Sequence, residues 1–371
     1  MRVAIVHHWL LHMRGGEKVV ESLCRIYPDA DIFTHIANPS ALSETLQRHK
    51  ITETFIARLP FASRLYQKYL PLMPAALEAL DLTPYDLVIS IESGPSKGVI
   101  TSPDAVHICY CNSPMRYLWD QYHVYRKQAG FLAKLMMPFI SPALRRWDVT
   151  SAARVDHIIS NSNFIRRRVR KFWRRESSVV YPPVFVEDFA PVPEDEVEDF
   201  YLWVGELVSY KRADIMVEAF AKSGRRLIVI GGPDSAIKGL SKITSENITF
   251  LGKTDFLTLK SHMARCRALI FPGEEDFGIV PVEVMASGRP VIAFGRGGAL
   301  DTVVDGVTGI FFDDPSVEGL NAAIERFEDE MLGELDQAAI LKHAHGFNEA
   351  RFQAEIQTII EAEITAMKDG S

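Results

Sequence analysis

The stretch that decides the fold is Phe271-Pro-Gly-Glu-Glu-Asp-Phe-Gly-Ile-Val-Pro-Val-Glu-Val-Met-Ala-Ser-Gly288. An apolar strand ends in a glycine-containing loop, and the chain then enters a helix with Pro281 in its first turn and Gly288 just past its end. Glu283 is predicted in that first turn, and Glu275 lies eight positions earlier in the loop. The stretch predicts a strand–loop–helix unit that carries two carboxylates.

The turn at the start of this helix is a candidate anion site. Phe277-Gly278-Ile279 is predicted to present backbone N–H groups at a helix N-terminus, which attract anions such as phosphate. Carboxylates beside a phosphate site are suited to hydroxyl groups, because a sugar or a ribose offers paired O–H donors. The alternative is that Glu283 only complements the helix dipole, which contributes about 0.3–1 kcal/mol.

Apolar runs alternate with helical patterns on both sides of this stretch. The predicted strands are 3–6, 86–90, 106–110 and 157–160 in the first half, and 200–204, 226–230, 248–250, 268–271 and 291–294 in the second. Because these strands are continuously apolar and separated by helices, they predict parallel sheets covered on both faces. The predicted fold class is α/β, with two doubly wound domains.

A proline-rich and acidic segment, from Tyr181-Pro-Pro183 to Asp199, separates the two runs of strands and has the composition of a linker. We therefore predict an N-terminal domain at 1–190 and a C-terminal domain at 191–349. The helical pattern at about 350–371 is expected to pack back on the N-terminal domain. Ligands of such sheets bind at the carboxyl ends of the strands, so an interdomain cleft is expected.

Charge is divided unequally along the 371 residues, whose formal net charge is -7. Residues 1–190 contain 24 Lys and Arg and 17 Asp and Glu, whereas the remainder contains 17 and 31. The basic half is suited to an anionic surface. The pI of about 5.9, with no recognised binding module, argues against a nucleic-acid partner. Four scattered cysteines, the lack of a signal pattern and the lack of a long apolar run predict a cytoplasmic protein without a spanning helix.

The Glu275-x7-Glu283 pattern, in its Phe-Gly-Ile-Val-Pro setting, resembles the signature of glycosyltransferase family 4. Members of that family are retaining enzymes of the GT-B fold that use nucleotide-sugar donors. Further similar segments are Trp203-Val-Gly-Glu-Leu-Val-Ser-Tyr-Lys-Arg212, Phe250-Leu-Gly252, Phe294-Gly-Arg-Gly-Gly298 and Asp305-Gly-Val-Thr-Gly-Ile-Phe311. Gly15-Gly16 and Tyr110-Cys-Asn-Ser-Pro-Met-Arg-Tyr-Leu-Trp119 are similar to the subgroup with mannosyltransferases of surface-polysaccharide assembly.

The resemblance implies a role for individual residues. It implies that Lys211 holds the donor pyrophosphate, that Glu283 binds the ribose hydroxyls and that Glu275 binds the sugar hydroxyls. The implied catalytic residues are Glu275, Lys211 and Asn112. The other implied donor-binding residues are Arg212, Gly205, Phe277, Gly278, Ile279, Val280 and Leu251, and the acceptor-side residues are Gly15, Gly16 and Arg116. No metal or cofactor is expected, because a lysine with oriented N–H groups stabilises a leaving diphosphate.

Two positions depart from the family's pattern. The family often carries Arg one residue after the glycine that corresponds to Gly205, and this chain has Glu206, with Arg212 as a candidate replacement. The subgroup tends to have His where this chain has Asn112. Asparagine can hydrogen-bond a sugar but cannot act as an acid or base near neutral pH.

The implied activity is transfer of mannose from GDP-mannose to a lipid-linked saccharide acceptor in surface polysaccharide biosynthesis. A UDP-linked donor, a GT-B sugar-nucleotide epimerase and a non-catalytic binder remain alternatives. A nicotinamide-dependent dehydrogenase is disfavoured, because the Gly-x-Gly-x-x-Gly fingerprint is missing. His7, His8 and His12 are interpreted as polar lining of the cleft rather than as metal ligands.

Two basic and apolar segments, 131–147 and 166–175, predict contact with an anionic membrane surface. The expected location is therefore peripheral, at the inner face of the cell membrane. The alternative is that both segments are helix faces packed on the N-terminal domain.

Overall fold

The chain divides by its internal contacts into two units. The computed structural model describes residues 1–232, 239–240 and 245–369. The first unit is Met1–Pro183 with Phe352–Ser371, and the second is Val184–Arg351. The predicted boundary lies seven residues further along the chain. Residues 184–190 belong to the second unit because the Val184 N–H donates to the Phe347 carbonyl oxygen at 3.0 Å, and because the Phe189 and Phe256 rings pack 5.8 Å apart.

A seven-stranded parallel sheet forms the centre of the first unit. Its strands are β1 (Val3–His7), β2 (Asp31–Thr34), β3 (Ile51–Glu53), β4 (Leu87–Glu92), β5 (Val106–Cys111), β6 (His157–Ser160) and β7 (Ser178–Val179). Their order across the sheet is β3-β2-β1-β4-β5-β6-β7. The strand order therefore reverses between β1 and β4, and the turns after these two strands flank the switch point where doubly wound sheets bind ligands.

The second unit repeats this plan with a six-stranded parallel sheet. Its strands are β8 (Tyr201–Val204), β9 (Leu227–Ile230), β10 (Ile248–Gly252), β11 (Leu269–Phe271), β12 (Val291–Phe294) and β13 (Gly309–Phe312). The order is β10-β9-β8-β11-β12-β13, so the switch point lies between β8 and β11.

Helices cover both sheets. They are α1 (Gly15–Ile26), α2 (Glu44–Gln47), α3 (Ala62–Leu65), α4 (Met73–Glu78), α5 (Tyr122–Gln128), α6 (Phe131–Ala152), α7 (Asn163–Phe172), α8 (Ala213–Ser223), α9 (Phe256–Arg265), α10 (Ile279–Ala286), α11 (Ala299–Thr302), α12 (Val317–Glu330), α13 (Gln337–His345) and α14 (Glu349–Asp369). Short 3-10 turns lie at Pro39–Ala41, Phe55–Arg58, Tyr66–Leu72, Ser96–Gly98, Val186–Asp188, Glu194–Glu196 and Ser209–Lys211. Several helices begin after a side-chain cap: Ser162, Asp255 and Ser316 each accept a hydrogen bond from a backbone N–H in the first turn.

The core of the first unit depends on both ends of the chain. Helix α1 buries Val19, Val20 and Leu23 against the sheet. Helix α14 contributes Phe352, Ile356 and Ile360, which are spaced by four and therefore share one helix face. The Phe352 ring packs edge-on against Tyr110 of β5, with ring centroids 5.7 Å apart. The last helix thus covers a sheet whose strands begin at residue 3.

The second core is built between β8 and the helices beside it. Tyr201 and Trp203 of β8 are buried with Phe220 of α8 and Phe327 of α12. The Tyr201 hydroxyl donates to Glu328 Oε1 at 2.8 Å, so its buried polar atom has a partner. Burial in this packing raises the pKa of Tyr201.

The predicted α/β fold with two parallel sheets is confirmed, and each of the nine predicted strands is present. Strands β2, β3, β7 and β13 were not predicted. β3 and β7 are short edge strands without a fully buried residue, so they lack the continuous apolar run on which the prediction rests. None of the described helices combines the length and the apolarity that crossing a bilayer takes.

Candidate functional site

Two turns at the switch point of the second unit are joined by an ion pair. Lys211 ends the 3-10 turn that follows β8, and Glu275 lies in the loop that follows β11. Lys211 Nζ is 2.8 Å from Glu275 Oε1, and the two side chains are 14% and 19% exposed. The structure thus brings together a cation and a carboxylate that lie in the turns after two different strands.

Close backbone packing sets the position of the Glu275 loop. A Cβ on Gly273 would lie 2.7 Å from Lys211 Cα, and one on Gly297 would lie 2.5 Å from the Glu275 carbonyl oxygen. Both distances are too short for any side chain, so these positions require glycine. Gly298, after β12, donates its N–H to the same carbonyl oxygen at 2.8 Å. Turns from three neighbouring strands therefore hold Glu275.

Helix α10 begins directly after this loop. Gly278 has a left-handed φ of 94° and turns the chain, so that the helix starts at Ile279. The prediction that Glu283 lies in the first turn is wrong, because this start makes it the fifth helical residue, where it is half-buried. Pro281 is third, where a backbone N–H has no partner within the helix and its loss costs little. The N–H groups of Ile279 and Val280 therefore lie at the helix N-terminus.

The other predicted donor-side residues differ in their surroundings. Gly205 lies against Lys211, since a Cβ there would be 3.0 Å from Nζ. Arg212 has a φ of 51°, which is unfavourable for a residue with a side chain, and its Nε lies 3.5 Å from Asp214 Oδ1. Leu251, 37% exposed, lies near the end of β10, which β9 separates from β8. Phe277 is buried, with its ring 5.7 Å from that of Phe347.

In the first unit, the turn after β1 approaches the turn after β5. A Cβ on Gly16 would lie 3.3 Å from His7 Cε1 and 3.8 Å from Asn112 Nδ2. Gly16 and Asn112 are therefore neighbours, and His7, the last residue of β1, lies beside them. Gly15, the first residue of α1, and Arg116, in the turn after β5, are half-buried.

The polar groups around His7 are deeply buried. Both ring nitrogens of His7, His8 Nδ1 and Asn112 Nδ2 are buried without a hydrogen-bond partner among the described residues. Burial, together with the adjacent His7, lowers the pKa of His8 well below its ordinary value. Burial acts to raise the pKa of Glu17, but the facing His7, with Nε2 3.8 Å from Oε1, lowers it below its ordinary value.

His12 is exposed, and no set of three or more potential metal ligands occurs in the described part of the chain.

Three buried charges lie next to this region, and sequence reasoning missed them. Glu92, Lys97 and Asp148 are fully buried. Lys97 Nζ donates to Glu92 Oε1 at 3.3 Å and also to Asp148 Oδ1. Asp148 Oδ2 accepts from the indole N–H groups of Trp119 and Trp173 at 2.7 and 2.8 Å. Burial raises the pKa of Glu92 to about 7, with Lys97 opposing the rise.

The backbone of Glu92 and the side chain of Arg168 support the turn that carries Asn112. The Glu92 carbonyl oxygen accepts hydrogen bonds from the N–H groups of Asn112 and Ser113 at 2.8 and 3.2 Å. From the other side, Arg168 donates to Ser113 Oγ at 2.8 Å and to Asp120 Oδ1 at 2.7 Å. Arg168 is 5% exposed. This arginine of the predicted membrane-binding segment 166–175 therefore serves the turn and not a surface.

The sequence carried a signal for part of this cluster. Lys97 is the only Lys or Arg in residues 69–115, and Asp148 is the only Asp or Glu in residues 121–155. An isolated charge in an apolar segment is costly to bury unless it is paired, so two such residues of opposite sign are candidates for a buried pair.

Two doubly wound parallel α/β units, each with its turns gathered at a switch point, make up the GT-B architecture of glycosyltransferases. Residues 13–188 match the family model described as Glycosyltransferase Family 4, and residues 185–342 match the one described as Glycosyl transferases group 1. The chain belongs to the GT-B glycosyltransferases.

Curated relatives and solved structures are similar to the chain at low sequence identity. The alpha-1,3/1,6-mannosyltransferase alg-2 of Neurospora crassa is 25% identical over 68% of this chain and 64% of its own length. The O-antigen chain mannosyltransferase RfbU of Salmonella typhimurium is 29% identical over 38% of this chain and 43% of its own length. Anabaena HepE in complex with UDP superposes with a TM-score of 0.71 at 16% identity, covering 98% of this chain and 100% of that one. The chain spans about half the length of the curated relatives it matches.

Replacing Lys97 by Met should destabilise the first unit by about 3–5 kcal/mol, because two buried carboxylates lose their cation. The raised folded-state pKa of Glu92, about 7, means that its protonation contributes stability at low pH, which is lost as the pH rises through that value. Above pH ~7 Glu92 is charged and needs the cation of Lys97, whereas toward pH ~5 it is neutral and needs that cation less. The destabilisation caused by Lys97→Met should therefore be largest above pH ~7 and shrink toward pH ~5. Urea unfolding followed by circular dichroism measures it. Lys68→Met, at an exposed position, is the control, and equal loss in both variants would contradict the assignment.

Proposed function

We propose that this protein is a retaining glycosyltransferase that moves mannose from GDP-mannose to a lipid-linked saccharide. The observation that carries the proposal is the Lys211–Glu275 pair, 2.8 Å apart at the switch point of the second unit, in a chain of a glycosyltransferase family. A cation and a carboxylate on adjacent turns suit a donor that joins a diphosphate to a hydroxyl-rich sugar.

Lys211 and the N-terminus of α10 are proposed to stabilise the leaving diphosphate. Negative charge accumulates on the diphosphate as its bond to the anomeric carbon breaks, so groups that are positive beforehand lower the barrier. The N–H groups of Ile279 and Val280 add the partial positive charge of a helix start. No side chain has to transfer a proton in this step.

The retaining course follows from attack on the same face of the sugar. The acceptor oxygen forms its bond to the anomeric carbon on the side from which the diphosphate departs, and the acceptor's proton passes to the departing phosphate oxygen. An acid or base at residue 112 is then unnecessary. Asn112, whose Nδ2 is buried without a described partner, is proposed to donate a hydrogen bond to a sugar hydroxyl.

The two glutamates are proposed to bind different parts of the donor. Glu275, which contacts Lys211, is proposed to accept hydrogen bonds from the hydroxyl groups of the sugar next to the diphosphate. Glu283, half-buried on α10, is assigned to the ribose hydroxyls. Bonds from hydroxyls to a carboxylate contribute about 1.5–3 kcal/mol each.

Mannose and the lipid-linked acceptor are inferred from relatives. Two of them are named as mannosyltransferases, and one of these acts on the O-antigen chain. A lipid-linked acceptor puts the reaction at a membrane, and we propose the inner face of the cell membrane with the protein bound peripherally. A UDP-linked donor is the second candidate, favoured by the similarity to a structure that contains UDP.

A thermal-shift panel of GDP, UDP, ADP and their mannose and glucose conjugates tests the donor. We expect GDP and GDP-mannose to raise the melting temperature, because a ligand at about 100 times its Kd stabilises the folded state by about 2.7 kcal/mol. Release of GDP should then require an acceptor. A shift by UDP alone favours the second candidate. Conversion of the donor without an acceptor indicates an epimerase, and a shift without any turnover indicates a binder.

The two glutamates should have separable kinetic effects. Glu283→Gln should raise the donor KM by roughly tenfold or more, since it weakens ribose binding in both ground and transition states. Glu275→Gln should instead lower kcat, because its hydroxyl contacts matter most as the sugar becomes charged. Glu274→Gln, a half-buried neighbour in the same loop, is the matched control. Wild-type kinetics in both variants would refute the donor-site assignment.

Activity should persist in excess chelator. We propose that Lys211 and the amides at the start of α10 supply the positive charge that a divalent metal supplies in other transferases. Steady-state transfer with and without EDTA measures this. Loss of activity that magnesium or manganese restores would show that a metal takes part.

A further inference from the structure

The outer face of α6 carries a continuous row of exposed apolar side chains. Phe131, Leu135 and Phe139 are spaced by four, so they share one helix face, and they are 87%, 54% and 74% exposed. Leu132 and Met136 lie beside them and are 71% and 42% exposed. We call these five residues the apolar stripe. Single exposed apolar residues are ordinary on protein surfaces, whereas contiguous sets mark interaction sites.

The stripe is not needed to hold α6 in place. The buried residues of α6 are Ser141, Leu144, Asp148, Ser151 and Ala152. At 100° per residue they fall on the face opposite the stripe, and all but Ser141 lie in the second half of the helix. The helix is therefore anchored by one face near its end and presents the other face, near its start, to the surroundings.

The surroundings of the stripe are uniformly basic. Residues 121–147 contain five Lys and Arg and no Asp or Glu. The five are Arg126, Lys127, Lys134, Arg145 and Arg146. The neighbouring segment 54–77 is also free of acidic residues, and its Leu70 packs in the same apolar cluster as Ile140 of α6. That segment exposes a further aromatic ring, Phe61, at 75%.

We propose that the apolar stripe docks on the surface of an anionic lipid bilayer. Apolar rings enter the boundary between headgroups and acyl chains, and the flanking Lys and Arg side chains lie near lipid phosphates. A second copy of this chain fits less well, because a symmetric contact would bring the same basic segments face to face. The inference deepens the proposed function, since a lipid-linked acceptor requires the protein to work at a bilayer.

This surface differs from the basic segment 166–175. Within that segment Arg168 is buried in the first unit, and Arg175 donates to the carbonyl oxygens of Ala152 and Val155. Arg170 pairs with Glu176, with Nε and Oε1 3.3 Å apart. Part of the basic segment 166–175 is thus committed to the fold. Beside the stripe, Lys127, Lys134 and Arg146 are exposed, whereas Arg126 and Arg145 are half-buried and donate to the carbonyl oxygens of Lys134 and Leu118.

Co-sedimentation of the full chain with vesicles tests the proposal, without nucleotide or acceptor. We expect binding to vesicles of equal parts phosphatidylglycerol and phosphatidylcholine, weak binding to phosphatidylcholine alone, and loss of binding at about 1 M salt, where charges are screened beyond about 3 Å. The triple variant Phe131→Ser, Leu135→Ser, Phe139→Ser should bind at least about tenfold less. The matched control is Leu257→Ser, Leu300→Ser, Val307→Ser, at exposed positions of the second unit, and it should bind like the wild type.

Three outcomes would overturn the assignment. One is equal binding of the wild type and the stripe variant. Another is loss of binding only on reversal of Arg167, Arg170 and Arg174 to Glu, which would move the contact to α7. The third is a concentration-dependent dimer that the stripe variant abolishes, which would assign the stripe to a second copy. Circular dichroism confirms that each variant is folded. The vesicle assay contains no nucleotide sugar or acceptor, so it reports on membrane binding alone. Transfer to a water-soluble acceptor, measured separately, reports on the proposed activity alone, so the two failures are distinguishable.

Discussion

Parallel pairing of every neighbouring strand in both described sheets is the constraint on which the rest of the structure depends. Parallel strands need crossover helices, and helices on both faces bury the strands completely. The same geometry collects the turns after all strands at one edge. Where the strand order reverses, two of these turns separate and leave room for a ligand. The paired charges of Lys211 and Glu275 lie at such a place, as do His7 and the Glu92–Lys97 turn.

The second unit shows how backbone packing positions charged groups. Gly273, Gly297 and Gly298 let three turns touch, so the Glu275 loop is held by main-chain contacts. A carboxylate fixed in this way does not have to reorganise when a substrate binds. Its ion pair with Lys211 holds the two side chains together in a partly buried place, so the cation is already oriented toward the turn after β11.

In the first unit, charged side chains near the switch point are fully buried and paired with one another. Removing Glu92, Lys97 and Asp148 from water is costly, and their mutual pairing with two indole donors offsets that cost. Beside these charges, the turn that carries Asn112 is held by the backbone carbonyl of Glu92 and by the Arg168 side chain. Positive charge therefore has two uses in this unit. Some of it is internal and structural, and some of it surrounds an exposed apolar helix face.

Local patterns in the sequence were sufficient for the parallel sheets and for the strand–loop–helix stretch at residues 271–288. Continuous apolar runs and glycine-marked turns are local signals, because backbone preference and burial act over a few residues. The short edge strands β3 and β7 lacked that signal, and Glu283 was wrongly placed in the first turn of α10, because the helix begins at Ile279, directly after Gly278.

The contacts of the candidate sites are different, since they join residues far apart in sequence. Lys211 meets Glu275, and Lys97 meets Asp148, only because the order of the strands brings their turns and helices together. Which arginines are buried was equally beyond the sequence: Arg168 and Arg167 are neighbours with the same side chain, and helix geometry turns one inward and the other outward. The sequence by itself determined which segments become strands and helices and which residue types are available to the site. The tertiary structure decided which of those residues touch and which charges face water, because contact and solvation depend on the packing of the whole unit.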